Sequence, residues 1–242
     1  MDEQSEMAIL SKASYDWYEG KHELAKKELE AYGLGDYQFD HEHSDDHSVT
    51  IVRPDGAVIS YRGTDFSNPS DILADWQILA GVHSNPWMQQ MHEMNRFQQA
   101  RDKYEAVKMK HSNVVVTGHS LGGAQALHVA RKYDENAIVF NPGASPFSEP
   151  FHALLTNDRP QKIYTTGDDL ISYASFLGKD NVITVPRRDP KKYWSHSLVN
   201  FLPPRDVQAP VPNYLLPVHT ETYETGQFCQ IYPELCTRQD SA

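Results

Sequence analysis

At 242 residues the chain is long enough to bury a substantial core without disulfides or metals, and its 39% hydrophobic and 23% charged content is that of a globular domain. The formal charge is −11, and residues 1–65 hold 15 acidic against 6 basic side chains. That field repels phosphate backbones, which argues against a nucleic-acid partner and against lasting attachment to an anionic membrane. No run approaches the roughly 18 apolar residues of a membrane span. The start, MDEQSEMAIL, lacks the basic and apolar regions of a secretory signal, so a cytoplasmic location or a signal-independent export route is expected.

In chain order, residues 3–32 read as helical and end at a glycine. SVTIVRPDGAVISYR is a hairpin, two β-branched runs joined through Pro54-Asp55-Gly56. PSDILADWQILAG reads as a short amphipathic helix with Ser70 or Asp71 as its cap. A longer helix over 87–109 precedes the strand NVVVTG, and a helix over 121–132 follows it. Then come the strands AIVFNPG, KIYTTGDD and NVITVP, and YWSHSLVNFL reads as a last helix. Strands alternating with helices imply crossover units and a mainly parallel central sheet flanked by helices. The short hairpin supplies antiparallel strands at one edge. The class is α/β, with one domain over 1–202. Five prolines in 203–217 mark 203–242 as an irregular, Pro-rich extension of the same domain, which also carries Cys229 and Cys236 as a disulfide or as two thiols.

The chemistry concentrates in VVVTGHSLGGAQALHVA, residues 114–130. A buried-type strand gives way to a helix rich in small side chains, with Gly118, Ser120, Gly122 and Gly123 at the junction. A sharp strand-to-helix turn needs residues without a Cβ on both sides of the serine, and such a turn holds a hydroxyl out as a nucleophile. A phosphate-binding loop is the competing reading, but no lysine follows the glycines. Serine is a weak nucleophile until a base takes its proton, and the base needs an acid to orient it. On this type of turn the partners follow as serine, acid, histidine. KIYTTGDDLIS offers Asp169, with Asp168 as the alternative, and the histidines beyond are His196 and His219, of which His196 sits at the start of the last helix, after the last strand.

YRGTD at 61–65, DILADW, VTGHSLGGAQA, an aspartate after TTG and a late histidine together resemble the class 3 (fungal-type) lipases of the α/β-hydrolase fold, over roughly residues 50–200. The resemblance implies Ser120 as nucleophile, Asp169 as acid and His196 as base. It also implies Thr64 and the Leu121 N–H as oxyanion donors. Tyr61 stands where the family usually has Phe, and Ser172 where a proline often follows the acid. The segment after RGT forms a lid in that family. Here it corresponds to about 66–82, with Ile72, Leu73, Trp76, Ile78 and Leu79 on one face, although a plain packed helix explains the same pattern.

These residues imply hydrolysis of carboxylic esters through an acyl-enzyme, with no cofactor and no metal. The substrate is then a lipid or another acyl ester, met at a transient lipid interface in the lipase case. Triacylglycerol lipase, phospholipase A1-type and short-chain esterase activities all remain open, and so does a non-catalytic binding module on the same scaffold. DHEHSDDH, with His41, His43 and His47, has metal-ligand types but reads as a solvated loop before the hairpin. PRRDPKK, with Arg187, Arg188, Lys191 and Lys192, is the strongest basic cluster and reads as a solvated loop, or as a contact for a head-group phosphate.

Overall fold

The computed structural model describes residues 1–63, 86–143, 160–169, 180–191, 193 and 195–204, with the main chain alone for 86–95. Its centre is a strand that the sequence makes unavoidable: three consecutive valines can bury both faces only between other strands. The sheet is ordered as the strands occur in the chain, β1 (Gln38–Asp40), β2 (Ser48–Arg53), β3 (Gly56–Tyr61), β4 (Val114–Ser120), β5 (Asn136–Pro142), β6 (Lys162–Thr166) and β7 (Asn181–Val185). β1, β2 and β3 pair antiparallel, and every pair from β3 to β7 is parallel. This mixed seven-stranded sheet with helices on its faces is an α/β-hydrolase fold.

Among the described residues four α-helices accompany it: α1 (Glu3–Tyr18), α2 (His22–Ala31), α3 (Pro86–Lys110) and α4 (Leu121–Tyr133). α1 starts where the Asp2 carboxylate accepts the Ser5 N–H at 2.7 Å, which satisfies a donor that helix geometry leaves orphaned. It gives way to α2 through Gly20, whose φ of 71° is cheap only for glycine. Strand side chains alternate between two cores. Val58, Val115, Ile138 and Phe140 pack against Met7, Ile9, Leu10 and Ala13 of α1 and against Leu198, Val199 and Phe201. Ile59, Val116, Val139 and Ile163 pack on the other face against Tyr104 and Val107 of α3 and Ala126, Leu127 and Ala130 of α4. A buried ionic knot joins α1 to α2: the Lys12 ammonium lies 2.5 Å from both the Asp16 and the Glu28 carboxylates.

The two helical stretches read over 3–32, EQSEMAILSKASYDWYEG and KHELAKKELEAYGLG, are α1 and α2, parted at Gly20. Two differences from the sequence reading have physical causes. β1 adds a third antiparallel strand beside the hairpin, too short at three residues to show a period. YWSHSLVNFL is not a helix: it holds one turn of 3₁₀-helix, Leu198–Asn200, capped by the Ser197 hydroxyl. Its upstream carbonyls serve side chains from the sheet, and Pro203 and Pro204 stop any continuation. Among the described residues no helix is long and apolar enough to cross a membrane. Residues 205–242, with Cys229 and Cys236, lie outside the described residues.

Candidate active site

β4 runs into α4 with no loop between them, so the whole reversal falls on Ser120. Its φ of 58° and ψ of −128° are outside the regions an L-residue prefers. Such a backbone costs about 1–3 kcal/mol and persists only when its surroundings over-determine it. Here they do. A Cβ on Gly118 would stand 2.5 Å from the Gly122 carbonyl, and one on Gly122 would overlap the Tyr61 carbonyl oxygen. The two glycines therefore let the first turn of α4 fold back onto β4 and β3. The Ser120 carbonyl accepts the Gly143 N–H at 2.7 Å, which ties the turn to the end of β5. Leu121 is the first helical residue, so its N–H has no carbonyl four residues earlier in the helix to bond. Gly63, at the exit of β3, packs where a Cβ would meet the His119 carbonyl at 2.5 Å and the Ser120 Cβ at 3.1 Å. The chain thus leaves β3 directly beside the serine.

Asp169 and His196 meet at the next strand ends. A turn after β6, closed by the Asp169 N–H on the Thr166 carbonyl at 3.0 Å, carries Asp169 inward. Its Oδ2 lies 2.8 Å from Nδ1 of His196, and the two side chains are 2% and 0% exposed. A carboxylate accepts, so Nδ1 carries the proton and Nε2 is the nitrogen left to act as a base. Asp168 points the other way, half exposed, with its Oδ2 3.0 Å from Arg187 Nη1. Arg187 also donates to the Pro190 carbonyl at 3.0 Å and to the Tyr193 carbonyl. This guanidinium is neither solvated nor turned out toward a phosphate: it fastens Asp168, the neighbour of Asp169, to the chain entering His196. Arg188 and Lys191 are exposed, and Lys192 lies outside the described residues.

A second histidine, which the sequence reading did not single out, sits under the first. His119, the residue before the serine, has its ring centroid 4.9 Å from that of His196. Its Nε2 is 2.6 Å from the His196 carbonyl and its Nδ1 3.0 Å from the Tyr15 hydroxyl of α1. Full burial holds the His119 pKa down to about 3, so the ring is neutral at ordinary pH. The signal was strand alternation: Val115, Thr117 and His119 share a face, and Val115 belongs to the α1 core.

The remaining sequence readings separate clearly. Thr64 and the lid residues Ile72, Leu73, Trp76, Ile78 and Leu79 lie outside the described residues, as do Ser172 and His219. Of His41, His43 and His47, only His43 joins a group of metal-ligand types among the described residues, with Asp40 and Glu42. There Asp40 already pairs with Lys110 at 3.0 Å and His43 at 3.1 Å. His41 lies against the Trp17 ring at 4.9 Å, and burial together with the Arg96 charge lowers the pKa of His47.

The model of the lipase (class 3) family matches the chain from the middle of β3 through the Ser120 turn to the end of the turn after β6. Residues 58–168 are similar to the class 3 lipase family. That match agrees with the seven-stranded sheet around it and carries lipid ester hydrolysis as the general activity of the lipase family. The class 3 lipase segment takes in Ser120, Leu121 and Thr64 and stops at Asp168. Asp169 directly follows the lipase segment, and His196 and α1 meet it through tertiary contacts with His119. No curated protein matches the chain.

Proposed function

We propose that the protein hydrolyses carboxylic esters of lipids, triacylglycerol or phospholipid of the A1 type, through a Ser120–His196–Asp169 triad. The buried 2.8 Å pair of Asp169 with His196, joined through the His119 ring to the strand whose last residue is a serine at positive φ inside a class 3 lipase segment, supports the reading. Ser120 Oγ attacks the ester carbonyl while His196 Nε2 takes its proton. Asp169 keeps that proton-accepting tautomer in place and stabilises the imidazolium that forms. Negative charge on the former carbonyl oxygen is met by the Leu121 N–H at the start of α4, where the helix dipole adds to the donor, and by Thr64. The imidazolium returns its proton to the leaving alcohol. Water, deprotonated by His196, then attacks the acyl-enzyme and frees Ser120. No step calls for a metal or cofactor.

The test is hydrolysis of soluble nitrophenyl esters, emulsified triacylglycerol and phosphatidylcholine, together with labelling by a fluorophosphonate probe. Ser120→Ala should abolish both turnover and labelling. Asp169→Asn should lower kcat by about 10⁴-fold, because the amide supports the wrong tautomer, while Asp168→Asn should change it little. Equal losses in the two aspartate variants would remove Asp169 from the triad. Labelling that survives Ser120→Ala would overturn the mechanism.

A further inference from the structure

We infer that Tyr15 and His119 form a positioning relay that sets the main chain of His196, so that helix α1 fixes the base against Asp169 and Ser120. The inference rests on the triad proposed above. A carbonyl oxygen only accepts hydrogen bonds, so the 2.6 Å contact between His119 Nε2 and the His196 carbonyl puts the His119 proton on Nε2. The ring is neutral, so Nδ1 holds a lone pair and the Tyr15 O–H donates to it at 3.0 Å. Hydroxyl, ring and carbonyl then form one directed chain with a single allowed tautomer.

Geometry explains why α1 is suited to this task. Four residues along a helix advance about 6 Å and two along a strand about 6.6 Å. α1 lies on the β4 face with matching contacts one step apart: Ser11 meets Thr117 hydroxyl to hydroxyl at 2.9 Å, and Tyr15 meets His119. Three residues further on, Tyr18 lies under the Arg62 guanidinium at 3.7 Å, next to Gly63. The helix thus grips the exits of β3 and β4 together.

The preceding peptide, Ser195–His196, is held from the next two strand tips. The Ser195 carbonyl accepts from Asn141 Nδ2 at 2.9 Å, from the Thr166 hydroxyl at 2.8 Å and from Asn200 Nδ2 at 3.1 Å. Asn141, at a φ of 39°, spans β5 and β6 by also accepting the Thr166 N–H at 3.0 Å. These donors fix Ser195. His119 alone in this set bonds the carbonyl of His196 itself, and its backbone is covalently continuous with Ser120. The residue that directly precedes the nucleophile therefore also holds the base.

The experiment compares His119→Gln, His119→Asn and Tyr15→Phe on a soluble short-chain nitrophenyl ester, with melting curves for each. A glutamine amide reaches the position of Nε2, whereas an asparagine amide stops near Nδ1 and falls short of the His196 carbonyl. Misplacing a catalytic group by about 1 Å costs about 10²-fold. His119→Asn should therefore lose about 10²-fold in kcat with little change in KM. His119→Gln should recover most of that loss, and Tyr15→Phe should lose kcat to a smaller extent, again without KM. Equal kcat for the Asn and Gln variants, or wild-type kcat for His119→Asn, overturns the relay. If neither His119 variant folds, Tyr15→Phe decides alone, and an unchanged kcat counts against it. Ser120→Ala and His196→Ala run in parallel. Turnover surviving in them refutes the triad, whereas their inactivity beside a fully active His119→Asn refutes only the relay.

Discussion

Replacing His119 by glutamine should flatten the acid limb of the protein's stability, and its size follows from the burial of one ring. In the unfolded chain a histidine takes a proton near pH 6.5, whereas folded His119 takes one only near pH 3. Its folded pKa is depressed, so the unfolded state binds the proton first. The associated stability is present above pH 6.5 and is lost as pH falls toward 3. Between pH 7.5 and pH 5 the linkage costs about 2 kcal/mol, roughly 4–8 °C in melting temperature for a chain of this size. Glutamine keeps a donor for the His196 carbonyl and has no proton to gain. Urea unfolding of wild type and His119→Gln at pH 7.5 and pH 5 isolates the effect, because every other titrating group is common to both. The wild type should lose about 2 kcal/mol more than the variant over that interval. Parallel losses would show that His119 is not the buried neutral group described here.

Three further outcomes follow from the same packing. Ser120→Gly should be more stable than Ser120→Ala by about 1–2 kcal/mol, since glycine relieves the φ of 58° and alanine does not; equal melting temperatures would mean an unstrained turn. Gly122→Ala sets a methyl group against the Tyr61 carbonyl, with backbone on both sides, and should cost at least about 3 kcal/mol or prevent folding. A variant that melts like wild type would contradict the β3–α4 approach. Lys12→Met leaves Asp16 and Glu28 buried without their shared cation and should lower unfolding free energy by about 3–5 kcal/mol in urea. A loss below about 1 kcal/mol would mean that water reaches the knot.

The sequence by itself determined the elements whose cause is local. Consecutive valines, a helix of small residues and glycines around Ser120 specify a strand, a helix and a turn without a Cβ at the crossings, because each depends on residues within a few positions of one another. Strands spaced by helices likewise specified the parallel sheet. The sequence left Asp168 and Asp169 as alternatives, since adjacent residues on a turn differ only in direction, and direction depends on where the neighbouring strands stand. Only the tertiary structure turns Asp169 inward to His196 and leaves Asp168 to Arg187. It also turned PRRDPKK from a loop into a clasp, and YWSHSLVNFL from a helix into a pinned turn. In both cases a deciding partner is distant in the chain, 19 residues from Arg187 and 54 from Ser195. Tyr15 goes further: it reaches its partner across 104 residues, from a helix with no motif of its own. Local pattern carries information about backbone, which responds to near neighbours. Which side chains meet at the strand tips was decided by the register of helix on sheet, set by the burial of two whole faces at once.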